Sequence, residues 1–264
     1  MAKQEFDLVV LGGGPGGYVA AIRAAQLGLT VAVIDENQQF GGTCLRVGCI
    51  PSKALLESSH MYYEATQHME SHGITVSEVS IDIDAMLQRK EKIVGQLTGG
   101  IKMLLKKNKV TSIVGRGVIS KPGTITVSGS DAGEVSAKHI LIATGSKPMM
   151  LPGIEYDGDF VGDSTTALSY KEPPKTLVVI GGGYIGLELG SVWNRLGSKV
   201  IVLEAMDKVL GGLDGEIAKI ATRTFTKQGI EFKTKAWVES AKKAGDHCVV
   251  QCKEMEPIEC DRVC

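Results

Sequence analysis

The apolar run Leu8-Val9-Val10-Leu11 predicts a β-strand covered on both faces. Glycines follow at once, in Gly12-Gly13-Gly14-Pro15-Gly16-Gly17, and then a helical stretch over 18–27 that Gly28 ends. A second apolar strand over 30–34 finishes at Asp35. The same succession returns later in the chain. Leu177-Val178-Val179-Ile180 runs into Gly181-Gly182-Gly183-Tyr184-Ile185-Gly186, a helix ends at Gly197, and a strand finishes at Glu204. Gly12 and Gly181 are 169 positions apart, as are Asp35 and Glu204, so the two copies align without a gap. Between them the pattern predicts a helix over 50–71, with Pro51 in its first turn, where a missing N–H costs nothing. A longer amphipathic helix is predicted over 82–107, where Ile83, Met86, Leu87, Val94, Ile101 and Leu105 recur at helical intervals. Short strands are expected over 112–115, 124–127 and 139–143, and Pro148, Pro152, Gly153 and Gly158 mark a connection.

Each copy has the parts that a bound dinucleotide requires. The first glycine (Gly12, Gly181) makes a tight turn, and the second (Gly14, Gly183) lets backbone approach a pyrophosphate. The third (Gly17, Gly186) lets helix pack closely on strand. The helix N-terminus offers N–H groups and a partial positive charge to phosphate, and the acid closing the second strand accepts hydrogen bonds from a ribose. A lone Gly-x-Gly-x-x-Gly would be weak evidence; two copies, each with strand, helix and distal acid, are not. The expected fold is therefore α/β, with two Rossmann-like dinucleotide-binding domains over residues 1–149 and 150–264. Each is expected to hold a parallel sheet with helices and a small antiparallel β-meander. Glu204 favours NAD over NADP, because a carboxylate pairs with a free 2′-hydroxyl and repels a 2′-phosphate. The residues after it, Ala205, Met206, Asp207 and Lys208, supply no arginine pair for such a phosphate.

Cysteine placement adds the chemistry. Cys44 and Cys49 lie in Gly41-Gly42-Thr43-Cys44-Leu45-Arg46-Val47-Gly48-Cys49-Ile50-Pro51-Ser52-Lys53, directly after the first dinucleotide unit. A disulfide closing so small a loop removes little freedom from the unfolded chain, so a stabilising role is a poor explanation. A dithiol that opens and closes beside an electron carrier is the better one, and a flavin is the carrier that exchanges electrons with sulfur. The first unit is then assigned FAD and the second a nicotinamide nucleotide. Cys49 falls at the predicted helix start, where backbone N–H groups and the helix dipole favour a thiolate.

Charge excludes other classes. Basic and acidic residues number 29 and 30, mixed along 264 residues, so no nucleic-acid stripe or polybasic membrane anchor is present. No apolar run reaches transmembrane length. The first residues enter a strand without a recognisable leader, so a soluble protein of a reducing compartment is expected.

On the redox motif, the second fingerprint and Ala143-Thr144-Gly145-Ser146, the chain resembles the FAD-dependent pyridine nucleotide-disulfide oxidoreductases, most closely their lipoamide-oxidising branch. The resemblance covers the whole chain. It implies oxidation of protein-bound dihydrolipoyl groups with reduction of NAD⁺. The implied partners are lipoyl domains of 2-oxoacid dehydrogenase acyltransferases or the glycine-cleavage carrier protein. A homodimer is implied too, in a bacterial cytoplasm or a mitochondrial matrix. Cys44 is implied to be the interchange thiol and Cys49 the flavin-facing one, with Lys53 paired to Glu188 near the flavin. Cofactor contacts are implied at Gly12, Gly14, Gly17, Asp35, Glu36, Gly42, Thr43, Lys53, Gly117, Thr144, Gly145 and Ser146 for FAD. For NAD they are Gly181, Gly183, Tyr184, Ile185, Gly186, Glu188, Glu204 and Ala236.

Two departures stand out. Arg46 occupies a position where the family usually has asparagine. The family pattern also implies a continuation past Cys264: a second flavin-contacting segment, then an interface domain carrying a His–Glu base pair. The chain by itself is accordingly expected to hold FAD weakly and show little lipoamide activity. Cys248, Val250 and Cys252 share one face of a predicted strand, which fits packing cysteines better than zinc ligands. The alternatives are a glutathione or mercuric reductase, or a non-catalytic nucleotide-binding chain.

Overall fold

The computed structural model describes residues 4–264; the expectation about the chain's first residues falls partly on 1–3, outside the described part. The chain divides into two compact units, one of residues 1–51 and 91–147, the other of 52–90 and 148–264.

In the first unit β1 (Gln4–Leu11) leads through α1 (Pro15–Gln26) to β2 (Val31–Asp35). α2 (Gly42–Val47) follows, and α3 (Cys49–Gln67), of which only 49–51 belong to this unit, starts after a one-residue break at Gly48. α4 (Ile83–Lys107) returns the chain to β3 (Thr111–Val114), β4 (Arg116–Lys121), β5 (Thr124–Ser128) and β6 (Gly133–Ile142). The sheet runs β3-β2-β1-β6-β5-β4. β3, β2, β1 and β6 pair in parallel, while β6, β5 and β4 form an antiparallel meander. Alternate residues of β1 go to opposite faces, as strand geometry requires. Val10 packs with Ala21 and Ala24 of α1 and Ile101 and Leu105 of α4; Val9 and Leu11 pack with Ile125 and Val127 of the meander.

The second unit repeats that plan. After α5 (Ser164–Ala167) come β7 (Thr176–Ile180), α6 (Tyr184–Arg195) and β8 (Lys199–Glu204). Then follow α7 (Gly215–Lys227), β9 (Glu231–Thr234), β10 (Val238–Ala244), β11 (His247–Cys252), β12 (Ile258–Cys260) and β13 (Arg262–Val263). A parallel sheet, β13-β7-β8-β9, is accompanied by the antiparallel meander β10-β11-β12. Leu177 and Val179 face Leu189 and Trp193 of α6; Val178 and Ile201 face Cys248, Val250 and Cys252 of the meander. The α/β class and the shared face of Cys248, Val250 and Cys252 are as expected.

Packing places 52–90 differently from a contiguous first domain. Leu55, Met86 and Leu87 join the core around Trp193, so this stretch goes with the second unit. The helix expected over 50–71 ends at Gln67, and a separate 3₁₀ turn, Met69–His72, closes on Gly73 at φ +74°. β4 was not foreseen: among its residues only Gly117 is half-buried and the others are exposed, so no hydrophobic alternation announces it.

Candidate functional site

The first fingerprint is built by contacts that only glycine permits. Gly12 has φ +102°, and a Cβ there would come within 2.2 Å of the Ala143 carbonyl oxygen. That approach seats the end of β6, and with it exposed Thr144, Gly145 and Ser146, against the turn. A Cβ on Gly17 would fall 1.8 Å from the Gly12 carbonyl oxygen and 3.3 Å from Val10 Cγ1, which is the close helix-on-strand packing anticipated for the third glycine. Gly14 caps α1 without a side-chain hydrogen bond. α5 and α7, by contrast, are capped by the Asp163 and Asp214 carboxylates. Glycine caps leave the first N–H groups of the helix to an external acceptor, and phosphate is the acceptor that such a terminus suits.

Asp35 closes the turn from the other side. Its Oδ2 accepts from Gly13 N–H at 2.7 Å and its Oδ1 from Asn37 N–H at 2.8 Å. In the second unit Glu204 does the same, accepting from Gly182 N–H at 2.7 Å and from Met206 N–H at 2.8 Å. Both acid–glycine pairs are 22 residues apart. The acid thus holds the middle of the glycine turn, a tie the spacing of the repeat contained but did not declare. Gly186 repeats Gly17: a Cβ would lie 2.5 Å from the Gly181 carbonyl oxygen and 2.8 Å from Val179 Cγ1. Gly183 caps α6 without a side-chain hydrogen bond, and Tyr184 and Ile185 are exposed on its first turn. Buried Ala236 donates its N–H to the Glu204 carbonyl at 2.9 Å, beside the end of β8.

The cysteine segment is docked on the first fingerprint. Gly41 N–H donates to the Gly13 carbonyl at 2.8 Å. Gly42, at φ +62°, approaches so closely that a Cβ on it would lie 2.5 Å from Gly14 Cα. From that contact α2 carries exposed Thr43 and half-buried Cys44; Cys49, exposed, is the first residue of α3. Sequence reading missed that 42–47 is helical, because so short a turn between glycines has no periodicity to read. Arg46 lies in the last turn of α2, and its Nε is buried with no hydrogen-bond partner among the described residues.

Lys53 and Glu188 meet as the resemblance implied. Lys53 Nζ donates to both carboxylate oxygens, at 2.7 and 2.9 Å, and Ser52 Oγ lies 3.3 Å from Oε2. An acid two residues beyond the last fingerprint glycine is thereby given a counter-charge. Lys53 remains 58% exposed, and a pair so wet is worth only about 0–1 kcal/mol, too little to explain it as a stability device. Glu36 is exposed just after Asp35. Gly117 lies in β4, where a Cβ would meet Leu11 Cδ2 at 2.7 Å, so its bare backbone makes room for the core.

Residues 6–264 match the family model described as pyridine nucleotide-disulphide oxidoreductase. The chain belongs to that family. It is 52% identical over 246 residues to dihydrolipoyl dehydrogenase 1, mitochondrial, of Arabidopsis thaliana, covering 92% of this chain and 48% of that protein. It is also 52% identical to dihydrolipoyl dehydrogenase of Cupriavidus necator, over 88% of this chain and 51% of that protein. Among solved structures it is similar to the Cu(II) complex of the HOCl-induced flavoprotein disulfide reductase RclA from Escherichia coli. There the TM-score is 0.85 at 28% identity, covering 100% of this chain and 56% of that one. The chain spans about half the length of the curated relatives it matches. Among the described residues no helix is long and apolar enough to cross a membrane.

Proposed function

We propose that this chain is the dinucleotide-binding part of an enzyme that oxidises protein-bound dihydrolipoyl groups with NAD⁺ as acceptor. The reaction converts the dithiol and NAD⁺ to the lipoyl disulfide, NADH and a proton. The observation that carries this reading is the docking of the Cys44 helix on the first glycine turn through Gly42 and Gly14. A chain that only bound nucleotide would have no reason to hold a dithiol motif against its phosphate turn.

The first unit suits FAD: Gly12, Gly14 and Gly17 shape the turn, the uncapped α1 would offer its N–H groups to pyrophosphate, and Asp35 with Glu36 would hold the ribose. The second suits NAD in the same way through Gly181, Gly183, Gly186 and Glu204. In the proposal residues 1–149 serve FAD and 150–264 serve NAD. Bound FAD would supply two-electron redox chemistry between a dithiol and a nicotinamide. Cys44 exchanges with the substrate: a dihydrolipoyl thiolate attacks its sulfur in the Cys44–Cys49 disulfide, and Cys49 leaves as thiolate. The second substrate thiol then attacks the mixed disulfide, releasing lipoyl disulfide and the Cys44 thiolate. Lys53 follows Cys49 by about one turn of α3, so the helix that carries the thiolate also carries an ammonium, oriented by Glu188.

The implied partners are lipoyl domains of 2-oxoacid dehydrogenase acyltransferases or the glycine-cleavage carrier protein. A homodimer in a bacterial cytoplasm or mitochondrial matrix completes the reading. Relatives of about 50% identity named dihydrolipoyl dehydrogenase support it. The test is dihydrolipoamide-dependent NADH formation by the protein of the whole reading frame, with C44S and C49S beside it. Turnover abolished by either substitution is expected. Oxidation of NADH by a disulfide substrate that survives both substitutions would defeat the proposal.

A further inference from the structure

Outside the fingerprints and the Cys44–Cys49 motif, the second unit contains a pair of facing cysteines. β11 and β12 are antiparallel, and Cys248 lies directly opposite Cys260. Residues so placed have Cα atoms about 4.5 or 5.5 Å apart, and both values fall within the roughly 4.4–6.8 Å that a disulfide spans. Directly opposed residues point to the same face, and here it is the buried one: Cys248 is 0% and Cys260 4% exposed. The two thiols are near enough on that face to shift one another's protonation. Cys248 Sγ also lies 3.4 Å from the Phe160 carbonyl oxygen and 3.9 Å from that of Asp261. Cys252, on the same strand face, is four residues from Cys248, about 13 Å at 3.3 Å per residue, and cannot be its partner.

We propose that Cys248 and Cys260 are a second dithiol of this chain, one that a hydroperoxide oxidises to a cross-strand disulfide. The strand register sets the two Cα atoms at a separation that a disulfide can span. Either sulfur can make the first attack with the same disulfide as product; Cys248 is taken as that sulfur. The Cys248 thiolate attacks the O–O bond, giving Cys248 sulfenic acid and releasing the alcohol, or water when the oxidant is hydrogen peroxide. The Cys260 thiol then condenses with the sulfenic acid, forming the S–S bond and releasing water. Two thiols and one hydroperoxide become one disulfide, one alcohol and one water. Burial makes this slow rather than impossible. β12 is three residues long and lies at the edge of its sheet, the kind of element that opens locally and admits a small oxidant.

Trypsin separates the two positions, cutting after Lys243, Lys253 and Arg262 to give peptides 244–253 and 254–262. The folded protein, treated with hydrogen peroxide, alkylated and digested without reductant, is expected to yield these two peptides linked. Their mass should be two hydrogens below the sum, and dithiothreitol should release them. The link should persist in C252S and vanish in C248S and in C260S. Circular dichroism of each variant before oxidation would confirm that it is folded. Unlinked peptides at peroxide levels that oxidise Cys44 and Cys49, or a link that survives C248S and vanishes in C252S, would overturn the proposal.

Discussion

Lys53 and Glu188, 135 residues apart in the sequence, are joined by two hydrogen bonds from one ammonium to both oxygens of one carboxylate. In the proposed reaction that ammonium is a working charge on the thiol-bearing helix. Lys53→Ala should slow reduction of the bound flavin by dihydrolipoamide by about tenfold or more, while changing unfolding free energy by no more than about 1 kcal/mol. Anaerobic stopped-flow and a urea melt measure the two effects separately. An unchanged reduction rate would remove Lys53 from the site.

Gly42→Ala tests the docking of the cysteine segment. The added methyl would press on Gly14 Cα at 2.5 Å in a left-handed conformation that costs roughly 1–3 kcal/mol. Loss of stability of that order, together with weaker FAD retention, is expected from denaturant titration and flavin fluorescence.

Glu204 should set the choice of nicotinamide nucleotide. With the native residue NAD should be preferred; Glu204→Ala should reduce the NAD-to-NADP ratio of kcat/KM by about tenfold, the equivalent of about 1.4 kcal/mol. Because Glu204 also ties down Gly182 N–H, some loss of NAD affinity should accompany the change. A native preference for NADP would refute the assignment.

Asp7 supplies a pH-dependent tie in the first unit. Hydrogen bonds from Lys138 and then from Thr30 hold its carboxyl well below the usual carboxylate range. A depressed folded value means the stabilisation is complete above the unfolded pKa of about 3.9 and drains away as pH falls below it toward the folded value. Asp7→Asn should therefore destabilise the protein at neutral pH and flatten the acid limb of its stability profile. Thermal melts between about pH 2 and 7 would show this, and parallel profiles for the two proteins would contradict it.

How far these features could be read from residues alone depended on their kind. Both glycine turns, their strands and helices, and the acids at Asp35 and Glu204 were legible because backbone sterics dictate the residue types. The alternation at Cys248, Val250 and Cys252 was legible as a buried strand face. The helix 42–47 was not, since its order comes from tertiary contact of Gly42 with Gly14 rather than from helical periodicity. Nor was the strand Arg116–Lys121, which is exposed along nearly its whole length and owes its place to pairing with 124–128. The opposition of Cys248 to Cys260 depends on register across a turn, which no local pattern encodes.

The duplicated architecture has a practical sequel. Because each residue of one glycine turn has its counterpart 169 places away, every substitution comes with a matched control inside the same molecule. Changing Gly17 and Gly186, or Asp35 and Glu204, in separate variants would perturb equivalent joints while solvent, expression and folding history stay common. Any difference in outcome then reports what each cofactor demands, not what the scaffold tolerates.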